Sequence, residues 1–467
     1  MNNKVDFSTG NVRRNIISMA LPMLIAQLFN ILYSVVDRIY IGNLPEVGEL
    51  ALGGIGICVP IITVFTGFTN LFGLGGAPLF SIARGRGDKK EAAKILHNAF
   101  IMLLCTGIIL GLAVYIFRKP LLYLLGATDA TYVYADDYLS IYLSGTCASM
   151  ISLGMNPYIN SQGFARTGML TVIVGALLNF VLDPIFIFGL DMGVKGAAVA
   201  TVVSQLVSAV WVIHFLTGQH AENKLQLSLL VPDLKCILGI VKLGTASFIM
   251  SGTDSLVQIV CNRMLLNYGG DLYIGIMTII NSVRQIVLTP VSAITDGASS
   301  VISFNFGADR LDKVKHSIRF MSVLAVGYSI MICGLIALVP EVFMKMFTKD
   351  SLMLSEGSIA LKLYFSGFFM MALQYSGQSV FKSLNMAGNA IFFSLFRKVV
   401  VVVPLTICLP MFLGVKGVYY AEVASNYIGG GICFATMLFV VSRLNKQRKL
   451  KENIFVSAEQ YKLKQTK

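Results

Sequence analysis

The stretch "LLNFVLDPIFIFG" (residues 177–189) places an acidic residue, Asp183, in the middle of a long apolar run. Comparable apolar runs recur along the whole chain of 467 residues, which is 55% hydrophobic and only 13% charged. A soluble chain of this size needs about 25% charged residues to cover its surface. The medium around these runs is therefore a lipid bilayer.

Segments of about 20 apolar residues are long enough to cross a bilayer as helices. We count twelve, which begin near residues 15, 51, 95, 137, 168, 194, 237, 273, 318, 358, 390 and 416. When Lys and Arg are assigned to alternate sides of these segments, 24 lie on the side of both chain ends and about 7 on the other. Because cytoplasmic loops are rich in Lys and Arg, we expect a multi-pass protein of the cell membrane. Both termini should be cytoplasmic, and residues 44–50 and 118–136 should lie outside.

The net charge of +13 comes from Lys and Arg residues that lie mainly on one side of the membrane, so it indicates the orientation of the chain. We therefore expect contacts with membrane lipid and no nucleic-acid partner. The C-terminal stretch "RLNKQRKLKEN" fits either a solvated tail or a segment that touches anionic lipid.

The chain contains an internal repeat. The sequence "GVKG" occurs at residues 193–196 and again at 414–417, an offset of 221 residues. Further matches at offsets of 221 or 222 follow in the same order along both halves: Ala200 with Ala421, Ser204 with Ser425, Gly75 with Gly297, Ser81 with Ser303, Gly85 with Gly307, Ser161 with Ser383 and Ala165 with Ala387. Together these matches indicate a duplication.

Each half of the repeat contains six spans, so both halves begin on the same side of the membrane. Halves of this kind are related by a pseudo-two-fold axis along the membrane normal. We predict an all-α membrane protein with an N-lobe (1–217), a cytoplasmic inter-lobe loop (218–236), a C-lobe (237–442) and a basic cytoplasmic tail (443–467). A cavity between two such lobes can open alternately to each side.

Motifs of other function classes are absent from the sequence. We find no GxxxxGK[ST] phosphate loop, no HExxH, no GxSxG and no cluster among the four histidines. We therefore expect a transporter rather than an enzyme, with no metal site and no cofactor. An ion gradient would then have to drive any uphill transport.

The acid in the opening stretch has an amide neighbour. Asn179 and Asp183 are four residues apart, so they share one helix face. At the repeat offset of 221, they fall on Val400 and Pro404, so the second half lacks both polar groups. Since the fold does not need these groups twice, we interpret Asp183 as a functional acid. Pro184 follows directly and weakens the helix there.

A second acid, Asp37, lies in the first span. It could pair with Arg38, or it could join Asp183 in the outer half of the membrane. Two nearby carboxyl groups away from bulk water favour binding of a proton or of a small cation.

Charges of both signs also occur in the second half. Asp254, Arg263, Arg284 and Glu422 fit either internal ion pairs or a second functional site. We expect Glu422 to face the part of the C-lobe that corresponds to Thr201, its repeat mate at an offset of 221.

The stretch "LNFVLDPIFIFGLDMGVKGAAVATVVSQ" (178–205) resembles the multidrug and toxic-compound extrusion (MATE) family, in particular its DinF-like and related bacterial branches. "LPMLIAQLFNILYSVVDRIYIG" in the first span and "SFNFGADR" after the eighth extend the likeness over nearly the whole chain. The resemblance implies cation-coupled antiport of small amphipathic, often cationic drugs or toxins by a monomer, with H⁺ or Na⁺ as the coupling ion.

The resemblance also implies roles for particular residues. Asp37, Asn179 and Asp183 match the family's N-lobe cation site, with Tyr138 and Thr201 as polar neighbours. Asn30 and Asn156 match substrate-contacting positions, and Pro22 matches a proline at which the first helix bends in some members. The secondary candidates are Asp254, Arg284 and Glu422, because the C-lobe acids of the Na⁺-coupled branch have no clear match.

The alternative function is a flippase of the same superfamily that moves a lipid-linked glycan. A flippase should line its cavity with Arg and Lys to hold pyrophosphate. Arg263, Arg284, Arg397 and Lys398 are the candidates, and in the sequence they are few and scattered.

Overall fold

The computed structural model describes residues 4–44, 47–226, 231–444 and 446–447. In this part of the chain, twelve long helices cross the molecule, because helices satisfy their own backbone hydrogen bonds in an apolar medium. Their bounds are α1 Val12–Gly42, α2 Gly48–Gly85, α3 Lys89–Leu124, α4 Asp129–Ser144 with Thr146–Ser161, α5 Ala165–Gly189, α6 Gly193–Thr217, α7 Leu234–Gly269, α8 Asp271–Gly307, α9 Leu311–Leu338, α10 Ser351–Phe365 with Phe368–Ser383, α11 Ala387–Leu413 and α12 Lys416–Leu444. A short helix, Pro340–Lys345, joins α9 to α10.

These twelve helices correspond to the twelve predicted spans. Among the described residues, ten of them are long and apolar enough to cross a membrane as single helices, although α11 has a turn at Leu409. The other two, α4 and α10, are each interrupted, at Gly145 and at residues 366–367. Gly145 and Gly367 are repeat mates at an offset of 222, so the interruption belongs to the duplicated architecture.

The helices form two lobes of six. Buried apolar residues of α2–α6, such as Phe72, Phe80 and Tyr158, form the core of the N-lobe. Residues of α7–α10 and α12 form a separate core in the C-lobe. A third cluster joins Ile16 and Met19 of α1 to buried residues of α8, α9 and α10, so α1 contacts both lobes.

The lobes meet near one end of the bundle, where α1 begins and α2 ends. We call this end the terminal face. A Cβ atom on Gly244 of α7 would lie 1.8 Å from the carbonyl oxygen of Leu71 on α2, and one on Gly307 would lie 2.1 Å from that of Ile82. Glycine at these positions permits the two backbones to touch. Towards the opposite end, α1 and α7 expose large apolar side chains, including Leu32, Val35, Ile259 and Leu266. The lobes are therefore closed together at the terminal face.

An N-terminal segment, residues 4–9, crosses the terminal face. We call it the clasp. On the C-lobe side, the Phe7 ring is buried against Phe304 at a centroid distance of 5.7 Å. The Phe7 carbonyl accepts from Asn305 at 3.3 Å, and the Ser8 carbonyl accepts from Lys313 at 2.7 Å.

The clasp is also bound to the N-lobe. The Val5 amide donates to the Gly163 carbonyl at 2.9 Å. Lys4 forms an ion pair with Glu222 of the inter-lobe loop, and Arg84 of α2 forms a second ion pair with the same carboxylate. One short segment thus connects both lobes.

The inter-lobe connection links the end of α6 at Thr217 to the start of α7 at Leu234. It is anchored to the N-lobe, because the amide of Gln226 donates to Nε2 of His97 at 2.8 Å. Most of the predicted tail (443–467) lies outside the described residues.

Candidate functional site

The structure brings Asn179 and Asp183 together on α5. Asp183 is 0% exposed and Asn179 is 2% exposed. The Asn179 side-chain amide donates to Asp183 Oδ1 at 3.1 Å and lies 3.5 Å from the Thr201 hydroxyl on α6. The second carboxyl oxygen of Asp183 and the Asn179 carbonyl oxygen have no hydrogen-bond partner among the described residues. The site therefore has unused oxygen ligands.

Asp37 of α1 is the second acid of this site. It is half-buried, and its Oδ1 atom is buried without a partner among the described residues. The Arg38 side chain is exposed, and the described residues include no ion pair between the two. The helices that carry Asp37 and Asp183 pack together here, since the Tyr40 ring of α1 lies 6.2 Å from the Phe180 ring of α5. Tyr138 of α4 is buried.

Neither Asp37 nor Asp183 forms an ion pair with any Lys or Arg in the described chain. A buried carboxylate without a counter-charge is costly, so such a group takes up a proton or binds a cation. The unused oxygens are ligands for either. Chemically, this pair of acids can exchange a positive charge.

Next to this acid pair lies a small cavity of about 40 Å³, which we call the N-lobe pocket. It is lined by Asn179 and Thr201 and also by Tyr33, which the sequence reasoning missed. Tyr33 precedes Asp37 by four residues on α1, so it lies on the same helix face as the acid. That spacing was the available signal.

Two prolines affect the helices that carry the acids. The regular α-helix of α5 ends at Pro184 and continues as a π-helical turn, Ile185–Gly189. Pro22 is buried within α1, which remains helical on both sides of it. Both prolines remove a backbone donor from the helix ladder. Pro184 weakens α5 directly beside Asp183, whereas Pro22 weakens α1 about four helical turns from Asp37.

A larger space, the central cavity of about 360 Å³, lies between the lobes. Its N-lobe wall carries neutral amides, including Asn30, Asn70 and Asn156. Asn30 lines both the central cavity and the N-lobe pocket, so the two spaces are adjacent. The Asn156 amide donates to the Gly168 carbonyl and to the Thr171 hydroxyl, both at 2.9 Å, so it also holds α4 against α5.

The C-lobe wall of the central cavity carries two charges, Asp296 on α8 and Lys382 on α10. Sequence reasoning assigned no role to either residue. Asp296 was recognisable as a charge inside a span. Lys382 lies one residue before the end of α10, where a lysine also fits the basic flank of a membrane span.

The C-lobe charges form a separate cluster around a cavity of about 20 Å³, which we call the C-lobe pocket. Lys398 pairs with Asp254 at 2.8 Å, and Arg284 lies 3.7 Å from the same carboxylate. Arg397 pairs with Glu422 at 3.0 Å, and both side chains are buried. Internal pairing, one of the two interpretations from the sequence, thus describes Asp254, Arg284 and Glu422.

Two expectations about these charges were wrong. Arg263 is not part of the cluster, since its side chain is exposed and forms no ion pair within the described chain. Arg284, Arg397 and Lys398 are not scattered in space, because α8 and α11 bring them to one pocket.

The two lobe pockets are repeat mates. Three residues that line the N-lobe pocket, Tyr33, Ala176 and Thr201, correspond at an offset of 221 to three that line the C-lobe pocket, Asp254, Arg397 and Glu422. Glu422 therefore occupies the position expected for it. The C-lobe pocket is lined by ion pairs, whereas the N-lobe pocket is lined by Asn179, whose bonded acid Asp183 has no basic partner in the described chain.

Comparisons with known proteins agree with this architecture. The curated multidrug export protein MepA of Staphylococcus saprophyticus is 22% identical over 436 residues, which cover 93% of this chain and 94% of that protein. A solved structure described as the outward-facing conformation of a multidrug resistance MATE family transporter superposes with a TM-score of 0.89 at 21% identity, covering 96% of this chain and 99% of the other.

A second solved structure, a MOP superfamily transporter from Pyrococcus furiosus described by the reverse polarity of its binding pocket, has a TM-score of 0.88 at 20% identity and covers 94% of this chain and 98% of the other. The family model described as MatE matches twice, at residues 22–185 and 246–408, once in each lobe. These matches cover well over half of the chain. The chain therefore belongs to the MatE family and is a membrane transporter of the multidrug and toxic-compound extrusion type rather than an enzyme.

Proposed function

We propose that this transporter exports small amphipathic drugs or toxins, many of them cationic, in exchange for H⁺ or Na⁺. The observation that carries the proposal is the pair of acids in the N-lobe, Asp37 and Asp183, which have no basic ion-pair partner among the described residues. The name of its curated relatives, multidrug export protein, supports the substrate class. The large cavity between the lobes is a suitable place for such a substrate.

The proposal includes a cytoplasmic position for the terminal face and both termini, which the excess of Lys and Arg on that side supports. In this orientation, the described state is closed to the cytoplasm by the close contacts around Gly244 and Gly307. Ions from outside then reach the acid pair of the N-lobe. An uptake of a proton or cation changes the charge beside α1, whose helix ladder is weakened at Pro22.

Asn30 offers a route by which the ion changes drug affinity, because it borders both the N-lobe pocket and the central cavity. A movement of α1 after ion uptake alters the drug-binding wall, and the drug leaves outward. The ion-loaded lobe then moves to the inward-facing state. Coupling needs only that ion and drug favour different states of one cavity, each by about a few kcal/mol.

The alternative, a lipid-linked glycan flippase, receives less support. Its cavity should hold several basic groups for pyrophosphate. Among the described residues, Lys382 is the one basic side chain that lines the central cavity, and it faces Asp296. Arg284, Arg397 and Lys398 line the C-lobe pocket instead, beside Asp254 and Glu422.

The test is ion release on drug binding. Purified protein in weakly buffered detergent solution receives a fluorescent cationic drug, and a pH indicator and a sodium electrode record the released ion. We expect about one ion to be released by each protein molecule, because the acid pair exchanges a single positive charge. The Asp37→Asn, Asp183→Asn double variant should bind drug without releasing an ion. Release of equal size from this variant would locate the coupling site elsewhere.

A further inference from the structure

We propose that Asp296 and Lys382 form a dipolar docking site for zwitterionic substrates, amphiphiles that carry an ammonium or similar cation together with a carboxylate. The inference rests on the proposed function in so far as it concerns drug export. It goes further in naming a charge class of substrate and the residues that select it.

The two side chains are placed for this role. Asp296 on α8 and Lys382 on α10 both line the central cavity and are half-buried. Neither side chain forms a hydrogen bond or an ion pair within 4.0 Å in the described chain, although their helices are joined close by, where Ser379 donates to the Thr295 carbonyl at 3.0 Å. Two opposite charges thus face a cavity with room for a ligand between or beside them.

The fold does not need this charge pair to hold α8 against α10. Three hydrogen bonds already do so: Ser299 to Ser383 at 2.7 Å between hydroxyls, Ser303 to the Ser383 carbonyl at 3.1 Å, and Ser379 to the Thr295 carbonyl at 3.0 Å. These small side chains bring the two helices together. Asp296 and Lys382 lie beside the three hydrogen bonds, on the cavity side. A purely structural ion pair would be expected to close to direct contact.

The charge in the cavity is confined to this wall. Asn30, Asn70 and Asn156, on the facing N-lobe wall, are neutral amides. A cation entering the cavity gains attraction from Asp296 and meets repulsion from Lys382. A zwitterion can satisfy both charges at once, since its carboxylate replaces Asp296 as the partner of Lys382 and its cation replaces Lys382 as the partner of Asp296.

This arrangement predicts opposite responses to the loss of one charge. Without Lys382, the carboxylate of a zwitterion has no partner, whereas a plain cation no longer meets repulsion. Without Asp296, both ligands lose the partner of their cationic group. A residue that only supports the fold would change both affinities in the same direction.

A matched pair of dyes separates these outcomes. Rhodamine 110 is a zwitterion at neutral pH, and rhodamine 123 is its methyl ester, a cation of nearly the same shape. Fluorescence polarisation measures their binding to purified protein in detergent without an ion gradient. We expect wild type to bind both dyes, and Lys382→Met to weaken rhodamine 110 by about tenfold while rhodamine 123 binds equally well or more tightly.

Further variants complete the test. Lys382→Arg should retain rhodamine 110 binding, Asp296→Asn should weaken both dyes, and Lys345→Met, which removes an exposed lysine of the short helix, should change neither. Equal losses for both dyes in Lys382→Met, or no binding of rhodamine 110 by wild type, would overturn the proposal. Because no gradient is used, a failure of ion coupling leaves this readout intact and is detected separately.

Discussion

At the residue scale, the two lobes differ in the partner of their buried acid. Asp183 has a neutral amide, Asn179, as its hydrogen-bond donor. In the equivalent pocket of the C-lobe, Glu422, which is the repeat mate of Thr201, has the guanidinium of Arg397. A fixed guanidinium remains charged at all relevant pH values, so the C-lobe acid keeps a permanent partner. A neutral amide allows its carboxyl to gain and lose a positive charge, so we propose that ion exchange is confined to the N-lobe.

This contrast predicts that Glu422→Gln affects stability more than coupling. Gln keeps a carbonyl acceptor for Arg397 but leaves the buried guanidinium without its counter-charge, which costs about 1–3 kcal/mol of folding free energy. Thermal unfolding of the purified variant should show this loss, while ion-driven efflux per folded molecule remains close to that of wild type.

A matched double variant serves as the control. Replacing both Arg397 and Glu422 with Leu removes the buried charges together, and such replacements are often nearly neutral for stability. Loss of ion-driven efflux in well-folded Glu422→Gln would show that the second lobe holds an essential coupling site, against the asymmetry argued from the pockets.

The local part of the site was predictable from sequence because helix periodicity fixes it. The spacing of four residues predicted that Asn179 and Asp183 meet, and the described distance is 3.1 Å. The partners of Asp254 were not predictable, because Lys398 and Arg284 come from α11 and α8 and their approach depends on the packing of whole helices.

At the element scale, hydropathy predicted the number and order of the helices but not their irregularities. The interruptions of α4 and α10 occur where a neighbouring helix comes close. A Cβ atom on Gly145 would lie 2.8 Å from Val202 of α6, and one on Gly367 would lie 3.1 Å from Val423 of α12. Val202 and Val423 are themselves repeat mates at an offset of 221. Each contact depends on a neighbour in space, which a hydropathy profile does not contain.

The clasp is an element that the sequence reasoning did not predict. Partial burial raises the pKa of Glu222, but hydrogen bonds and charges from Lys4 and Arg84 outweigh this and hold the pKa below its usual range. Hydroxyl hydrogen bonds from Ser8 and Thr9 likewise keep the pKa of Asp6 low. Asp6 of the clasp and Glu222 of the inter-lobe loop are therefore both ionised at neutral pH.

Removing Glu222, the loop acid that pairs with Lys4 of the clasp, should loosen the terminal face. Glu222→Gln should lower the free energy of unfolding by about 1 kcal/mol, because two ion pairs are lost and the carboxylate is partly exposed. Because the folded-state pKa of Glu222 is depressed, its stabilising contribution is complete above the unfolded pKa of about 4.3 and is lost as the pH falls further. Melting curves of wild type and variant should differ equally at pH 6 and pH 8 and converge in acid.

A control for this prediction lies at the opposite end of the bundle. Glu341 pairs with Lys345 at 3.0 Å, and these side chains are 65% and 60% exposed. Glu341→Gln should therefore leave the melting curve unchanged. The role given to the clasp would be contradicted if both substitutions lowered the melting temperature equally. It would also be contradicted if the difference in melting temperature between wild type and Glu222→Gln changed between pH 6 and pH 8.

At the scale of the whole molecule, the proposed outward transport of drugs requires the terminal face to be cytoplasmic. In a variant without native cysteines, a cysteine at Asp129, which is exposed and lies in the predicted outer region, should react with an impermeant thiol reagent added to intact cells. A cysteine at Lys90 should react only after permeabilisation. Labelling of the Lys90 position from outside would reverse the topology and with it the direction of transport.

The duplication also shapes the whole molecule. It gives each lobe the same helix order and an equivalent pocket, yet the central cavity is asymmetric, with amides on its N-lobe wall and Asp296 and Lys382 on its C-lobe wall. We interpret this asymmetry as a division of roles, in which the N-lobe exchanges ions and the C-lobe selects substrates by their charge.

The central claim is that exchange of a positive charge at Asp183 drives transport. The most direct measurement is drug efflux from proteoliposomes under an imposed proton or sodium gradient. Asp183→Asn keeps the shape and polarity of the side chain but cannot lose a proton or carry a negative charge, so it should fold, bind drug and lose at least about 90% of gradient-driven efflux, which corresponds to about 1.4 kcal/mol or more of lost coupling. Asn179→Leu should lose less, because it removes a hydrogen-bond donor and leaves the exchanging carboxyl in place. Near-normal efflux by Asp183→Asn, with Asp37→Asn also active, would contradict the account.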